Sequence, residues 1–148
     1  MFPLWKEIGI IPWSRREMVC KLRNHDVNHR DFERWARAKP KRNFPVPLSY
    51  RKVRLVRVNG EILGFSRMTP RSELYARARE RGLRLCPPYM GPFLRLADLE
   101  QPSDSMEWRY QVTMDLTSDA GTVTYVYVLD SERSGFRQLR VETVRMQD

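Results

Sequence analysis

The stretch WRYQVTMDLTSDAGTVTYVYVLDSERSGFRQLRVETV, Trp108 to Val144, decides the fold class. Trp108, Tyr110, Val112, Met114 and Leu116 alternate with polar residues, the period-two pattern of a strand with one buried face. Asp119, Ala120 and Gly121 then turn the chain into TVTYVYVLD, and a second turn around Ser131–Gly135 leads to FRQLRVETV. Three consecutive strands joined by short turns predict an antiparallel meander.

Upstream of the meander the period changes. Thr69 is placed as a helix N-cap and Pro70 at the first helical position. SELYARARER follows, and Gly82 stands just past the end with Leu83 beyond it. Between this helix and the strands, CPPYMGP (Cys86–Pro92) reads as a stiff irregular connection, and FLRLADLEQP shows no decisive period. Further upstream, WSRREM carries a capping box, Ser14 with Glu17, flanked by Trp13 and Met18 in the positions of a hydrophobic staple. The helix runs through MVCKLR, burying Met18, Val19 and Leu22, and meets Asn24, His25 and Asp26, all poor helix formers. VNHRDF repeats the start signal: Asn28 as N-cap, Asp31 in the first turn, Val27 and Phe32 as staple. A second helix is predicted from His29 to about Ala38, ended by Pro40. NFPVPLSY connects to RKVRLVRV (Arg51–Val58), a strand by its valines. Asn59-Gly60 then either closes a hairpin with EILGF or opens a short helix over Glu61–Phe65. The fold class is α+β: an N-terminal helix–turn–helix with a basic strand, then a helix and a C-terminal antiparallel meander.

The 148 residues suffice for one domain or two small units sharing a core, here 1–67 and 68–148. Charge divides at the same place. Residues 1–67 carry 16 Lys+Arg against 6 Asp+Glu, a net +10, and residues 68–148 carry 11 against 12, a net −1. The basic excess of the first half suits a phosphate backbone or another anionic surface. Cys20 and Cys86 are far apart and in no metal-ligand spacing, which fits a reducing interior. No apolar run is long enough to span a bilayer. The apolar start is broken by Lys6 and Glu7 with no small-residue cleavage site after it, which argues against a signal peptide. The expected location is the cytoplasm, with no membrane partner.

The stretch Asn24–Arg42 holds both histidines and invites a metal or acid–base reading. In a single long helix His25 and His29 would share a face, but that face is the apolar seam of Met18, Leu22, Phe32 and Ala36, and the third ligand and base of a zinc motif are absent. In the two-helix reading His25 falls in the turn and Asp31 has a structural role at a helix start. Ser103 and Ser105 have no histidine near them in sequence, and no Gly-rich phosphate loop exists. No cofactor or metal is expected, and the reading leans away from an enzyme, whose site would have to be assembled from distant residues.

The arginines remain. Arg30, Arg34 and Arg37 recur at four and three residues, one stripe opposite Phe32 and Ala36. Lys39, Lys41 and Arg42 extend it, and Arg51, Lys52, Arg54 and Arg57 charge the following strand. A charged helix face is most often simply solvated. A helix with one basic stripe beside a basic strand is also the layout that enters a major groove and tracks phosphates.

Residues 14–65 resemble the helix–turn–helix DNA-binding domains of phage excisionase and MerR-type regulators. The resemblance rests on RREMVCKLRN, DVNHRDFERWAR with Arg34-Trp35, FPVP at Phe44–Pro47, RKVRLVRV and GEILGF in that order. It departs in a turn without glycine and an additional KPKRN before FPVP. It implies that Asn28, His29 and Arg30 begin a recognition helix in the groove, with Arg34 and Arg37 near phosphate. Residues 69–130, around GLRLCPPYMGPFLRL, resemble a segment of bacterial proteins to which no activity attaches. The expected function is binding of nucleic acid, duplex DNA first, by a small regulator or mobile-element accessory protein. The alternative is a protein-interaction or assembly subunit, or a homodimer, using residues 83–148 as the partner surface.

Overall fold

The computed structural model describes residues 2–38, 46–97, 110–117, 123–131 and 137–147. In chain order the elements are β1 (Lys6–Ile10), α1 (Arg15–Asn24), α2 (Arg30–Ala38), β2 (Arg51–Leu55), α3 (Arg71–Glu80), α4 (Met90–Ala97), β3 (Tyr110–Thr117), β4 (Val123–Ser131) and β5 (Arg137–Arg145). The α+β class and the meander are as the sequence predicts: β3, β4 and β5 form an antiparallel sheet in sequence order. Residue pairs run from Tyr110↔Leu129 across β3–β4 and from Val123↔Arg145 to Ser131↔Arg137 across β4–β5. The central strand β4 is buried on both faces, since Val126, Tyr127, Val128 and Leu129 are all fully inaccessible. Its sequence is accordingly apolar at successive positions rather than alternating.

α4 is the hub between the sheets. It packs on α1, on β1 and on all three strands of the meander. Met90 through Arg95 are buried without a break, the signature of a helix enclosed all round. The expectation of an irregular CPPYMGP is corrected here: Met90, Gly91 and Pro92 form the first turn of α4. Proline is tolerated there because the first N–H groups of a helix lack intrahelical partners anyway. Gly91 is required by contact, since a Cβ at this position would overlap the ring of Tyr127. The Tyr127 hydroxyl donates to the carbonyl of Pro88, and burial raises its pKa well above the usual tyrosine value. Arg95, fully buried, donates from Nη1 to the carbonyls of Asp130 at 3.2 Å and Gln138 at 3.3 Å, tying α4 to the β4–β5 hairpin.

The second sheet is a two-stranded ribbon. β2 pairs antiparallel with β1, Lys6↔Leu55 to Ile10↔Arg51. Of the two alternatives for EILGF, hairpin strand or short helix, the strand does not form. The Asn59 carbonyl accepts from Leu63 N and its Oδ1 from Ile62 N at 2.8 Å, so the segment makes one helical turn, ended by Gly64 at φ 90°. That frees β2 to take Lys6–Ile10, which buries Ile8 and Ile10 against the core. One hydrophobic cluster collects Ile8, Met18, Leu22, Phe32 and Ala36 from the first half with Phe93, Met114, Tyr127 and Leu139 from the second. Packing therefore runs across the 67/68 position where the charge divides.

The local helix signals resolve individually. α1 carries both bonds of the Ser14–Glu17 capping box. It ends with Asp26 at φ 55°, Asp26 N donating to the Arg23 carbonyl and Val27 N to that of Leu22. This is a Schellman closure in which an aspartate does the work glycine usually does. α3 starts from Pro70 with no side-chain cap, so Thr69 is not its N-cap; the Thr69 hydroxyl donates to Arg67 O instead. Gly82, at φ 83°, closes its other end as expected, with Leu83 N donating to Ala78 O.

Candidate nucleic-acid interface

α2 divides cleanly into two faces. Phe32 and Ala36 are fully buried, and Trp35 and Phe32 pack their rings on Tyr125 and Tyr127 of β4 at centroid separations of 5.7–6.1 Å. Trp35 belongs to this apolar face. Arg30, Arg34 and Arg37 are exposed on the other. The stripe is not electrically uniform. Arg37 bonds Glu33 at 2.6 Å, a bridge one helical turn long, whereas Arg30 and Arg34 make no ion pair with the described residues.

The start of α2 differs from the expected open N-cap. His29 precedes the helix and its carbonyl accepts from Glu33 N, so Asn28 lies one residue further out. Asn28 forms a parallel bridge to Gln138, its N donating to Arg137 O at 2.8 Å and its carbonyl accepting from Leu139 N at 3.0 Å. Its Oδ1 accepts from Arg30 N only at 3.4 Å. Asp31 reaches the same edge strand, Oδ2 accepting from Val141 N at 2.5 Å. The reason is tertiary: β5 is an edge of the meander with unpaired backbone groups, and residues 28–31 satisfy three of them. The helix beginning is thereby spent on the sheet, and of the residues expected to face a groove only Arg30 is exposed.

The remaining chemistry-bearing residues of the stretch have local partners. The ring of His29 contacts Val27 O at 2.9 Å through Nδ1 and Glu33 at 3.4 Å through Nε2, while His25 is exposed at the end of α1. Arg140 bonds Asp130 at 2.7 Å and Glu142 at 3.1 Å. Burial works against its charge, but Asp130, Glu142 and Asp31 outweigh it and raise the pKa. Burial pushes the Cys86 thiol up to about 11, which withdraws it from nucleophilic work at neutral pH. Among the described residues, no group of three or more His, Cys, Asp or Glu is placed to hold a metal ion. No helix among them is long and apolar enough to cross a membrane.

β2 ends at Leu55, short of the expected Val58, and the cations on it and just after it are exposed but partly engaged. Arg51 donates to the Tyr89 hydroxyl at 2.6 Å, Lys52 faces Glu7 at 3.7 Å, and Arg57 lies over the Trp5 ring at 5.4 Å. Arg54 is exposed and makes no ion pair with the described residues. Lys39, Lys41 and Arg42 lie outside the described residues. α2 docks on β5 while β2 pairs with β1, so the two basic segments belong to different layers. Sequence reasoning passed over two features. Arg15 Nη1 donates to Ala36 O at 2.5 Å and so caps the last turn of α2. Arg16 and Arg23, also exposed and two turns apart on one stripe of α1, add positive charge that the spacing itself could have revealed.

Comparison with protein-family models, with curated proteins and with solved structures finds no match for this chain.

Proposed function

We propose that this is a cytoplasmic nucleic-acid-binding protein, with duplex DNA as the first target, acting through the exposed side of α2 as a small regulator or mobile-element accessory protein. One observation carries the reading. Arg30 and Arg34 stand exposed without ion pairs among the described residues, on a helix whose other face is committed to the core. Folding gives these two guanidinium groups no visible employment. Arg54 on β2, and Lys39, Lys41 and Arg42 in the sequence just after α2, add phosphate contacts. Because Asn28 and Asp31 are held by β5, the helix meets nucleic acid side-on rather than by its start. Phosphate neutralisation then dominates and sequence preference is shallow, which departs from a recognition helix of the excisionase or MerR kind.

The test is fluorescence anisotropy of a labelled duplex over a salt series. Binding should weaken steeply with salt, and Arg30→Ala with Arg34→Ala should flatten the slope of log K against log[salt] by about two, near 0.9 per lost phosphate contact. Arg37→Ala should change it less, because Glu33 already offsets that charge. An unchanged slope in the double variant, or no binding at about 50 mM salt, would sink the reading. A second reading, a protein-interaction subunit, is favoured by Leu48 and Tyr50, which are 93% and 76% exposed beside β2. A partner footprint on those residues with α2 untouched would select it.

A further inference from the structure

A cleft of about 760 Å³ opens between the 59–71 segment, the start of α3 and the strands β3 and β5, away from α2. Among the described residues, three guanidinium groups line it, Arg67, Arg71 and Arg145, together with Thr69, Thr143 and the apolar Leu74, and none of the lining residues described is acidic. Ser72 N donates to Met146 O at 3.0 Å, which fastens the start of α3 to the end of β5 and holds the arginines in one place.

Their charges are unequally compensated. Arg67 faces Glu73 at 3.3 Å, so its charge is answered. Arg71 donates to the side-chain carbonyl of Gln111 at 2.8 Å, a neutral acceptor that aims the guanidinium without cancelling its charge. Arg145 is exposed and makes no ion pair with the described residues. Two cations without an acidic partner among the described residues repel each other in one concavity, and a dianion between them offsets that repulsion. The volume exceeds what a bare inorganic anion needs and lies in the range of small-molecule sites, while Leu74 offers an apolar contact to the rest of a ligand.

We propose that this cleft binds a phosphomonoester carried on an apolar body, Arg71 and Arg145 holding the phosphate and Leu74 the body. The site shares no residue with the basic stripe of α2 and stands independently of it.

The experiment uses the full chain with ¹³C-methyl-labelled methionine. Met68 lines the cleft and is 96% exposed, so its methyl reports occupancy. Titration with phenyl phosphate should give a saturable shift of the Met68 signal, and phenol should give none. Inorganic phosphate should bind about tenfold more weakly, having no body to contact Leu74. Arg71→Gln and Arg145→Gln should each weaken phenyl phosphate about tenfold, the loss of one charge-assisted contact. Arg145 is exposed, so its variant is expected to keep the wild-type melting temperature even if the half-buried Arg71 variant does not. Arg30→Ala with Arg34→Ala should leave this affinity unchanged, which keeps failure here apart from failure of the DNA reading. No saturable shift, an equal response to phenol, or full affinity in Arg145→Gln would overturn the proposal.

Discussion

A hydrogen atom is all that Gly91 can present to Tyr127, because the ring lies where a Cβ would go. The neighbouring rings of Phe32 and Trp35 and the hydroxyl bond to Pro88 O leave Tyr127 no direction in which to retreat. Gly91→Ala should therefore destabilise the protein by about 2–4 kcal/mol, at or beyond the usual overpacking cost, even though alanine is the better helix former. Urea denaturation checks this. A substitution that leaves stability unchanged or raises it would mean that α4 and β4 are further apart than described. Nothing in the sequence announces this contact: a glycine before a proline ordinarily marks a turn, and the ring that needs the space is 36 residues away.

At the scale of elements, α2 shows where local reading succeeds and where it stops. The apolar spacing of Phe32 and Ala36 and the opposite spacing of the arginines were legible because both obey the helical period. The start of the helix was misread by a residue. Asn28 and Asp31 have the chemistry of a cap, but the edge of β5, more than 100 residues on, takes them for backbone pairing. β1 escaped notice for a related reason. Lys6–Ile10 has only two buried residues and a glycine between them, and its partner β2 is some 45 residues distant. Asp31 makes the docking testable. Asp31→Ala should cost about 1–3 kcal/mol, the range for orphaning a partly buried N–H, and speed hydrogen exchange at the Val141 amide. Asp31→Asn, which keeps an acceptor oxygen, should lose less. Unaltered Val141 exchange in Asp31→Ala would contradict the docking of α2 on the edge strand.

Over the whole molecule, charge and packing divide the chain differently. The sequence puts the basic excess before residue 68, and that asymmetry is real as electrostatics, but it marks no gap in the core. Met18 and Leu22 of α1 share a cluster with α4, and Phe32 and Trp35 of α2 lie on Tyr125 and Tyr127. Trp13 stacks on Phe93 at 5.0 Å with the planes 6° apart. Removing the first half would strip Phe32 and Trp35 from Tyr125 and Tyr127 and would take α1 and β1 off α4, which leaves α4 packed on the meander. Hydrophobic burial that is shared in this way makes unfolding all-or-none, since neither part keeps its favourable term when the other opens. Tryptophan fluorescence, weighted to the first half by Trp5, Trp13 and Trp35 against Trp108 alone in the second, and the methyl signals of the buried Met90 and Met114 in the second half should therefore trace one coincident urea transition. Residues 68–148 expressed alone should show no cooperative transition, because α4 and Tyr127 would lose their packing partners. Two separated transitions, or a folded 68–148 fragment, would make the halves independent units, and the basic half would then have to be tested for DNA binding on its own.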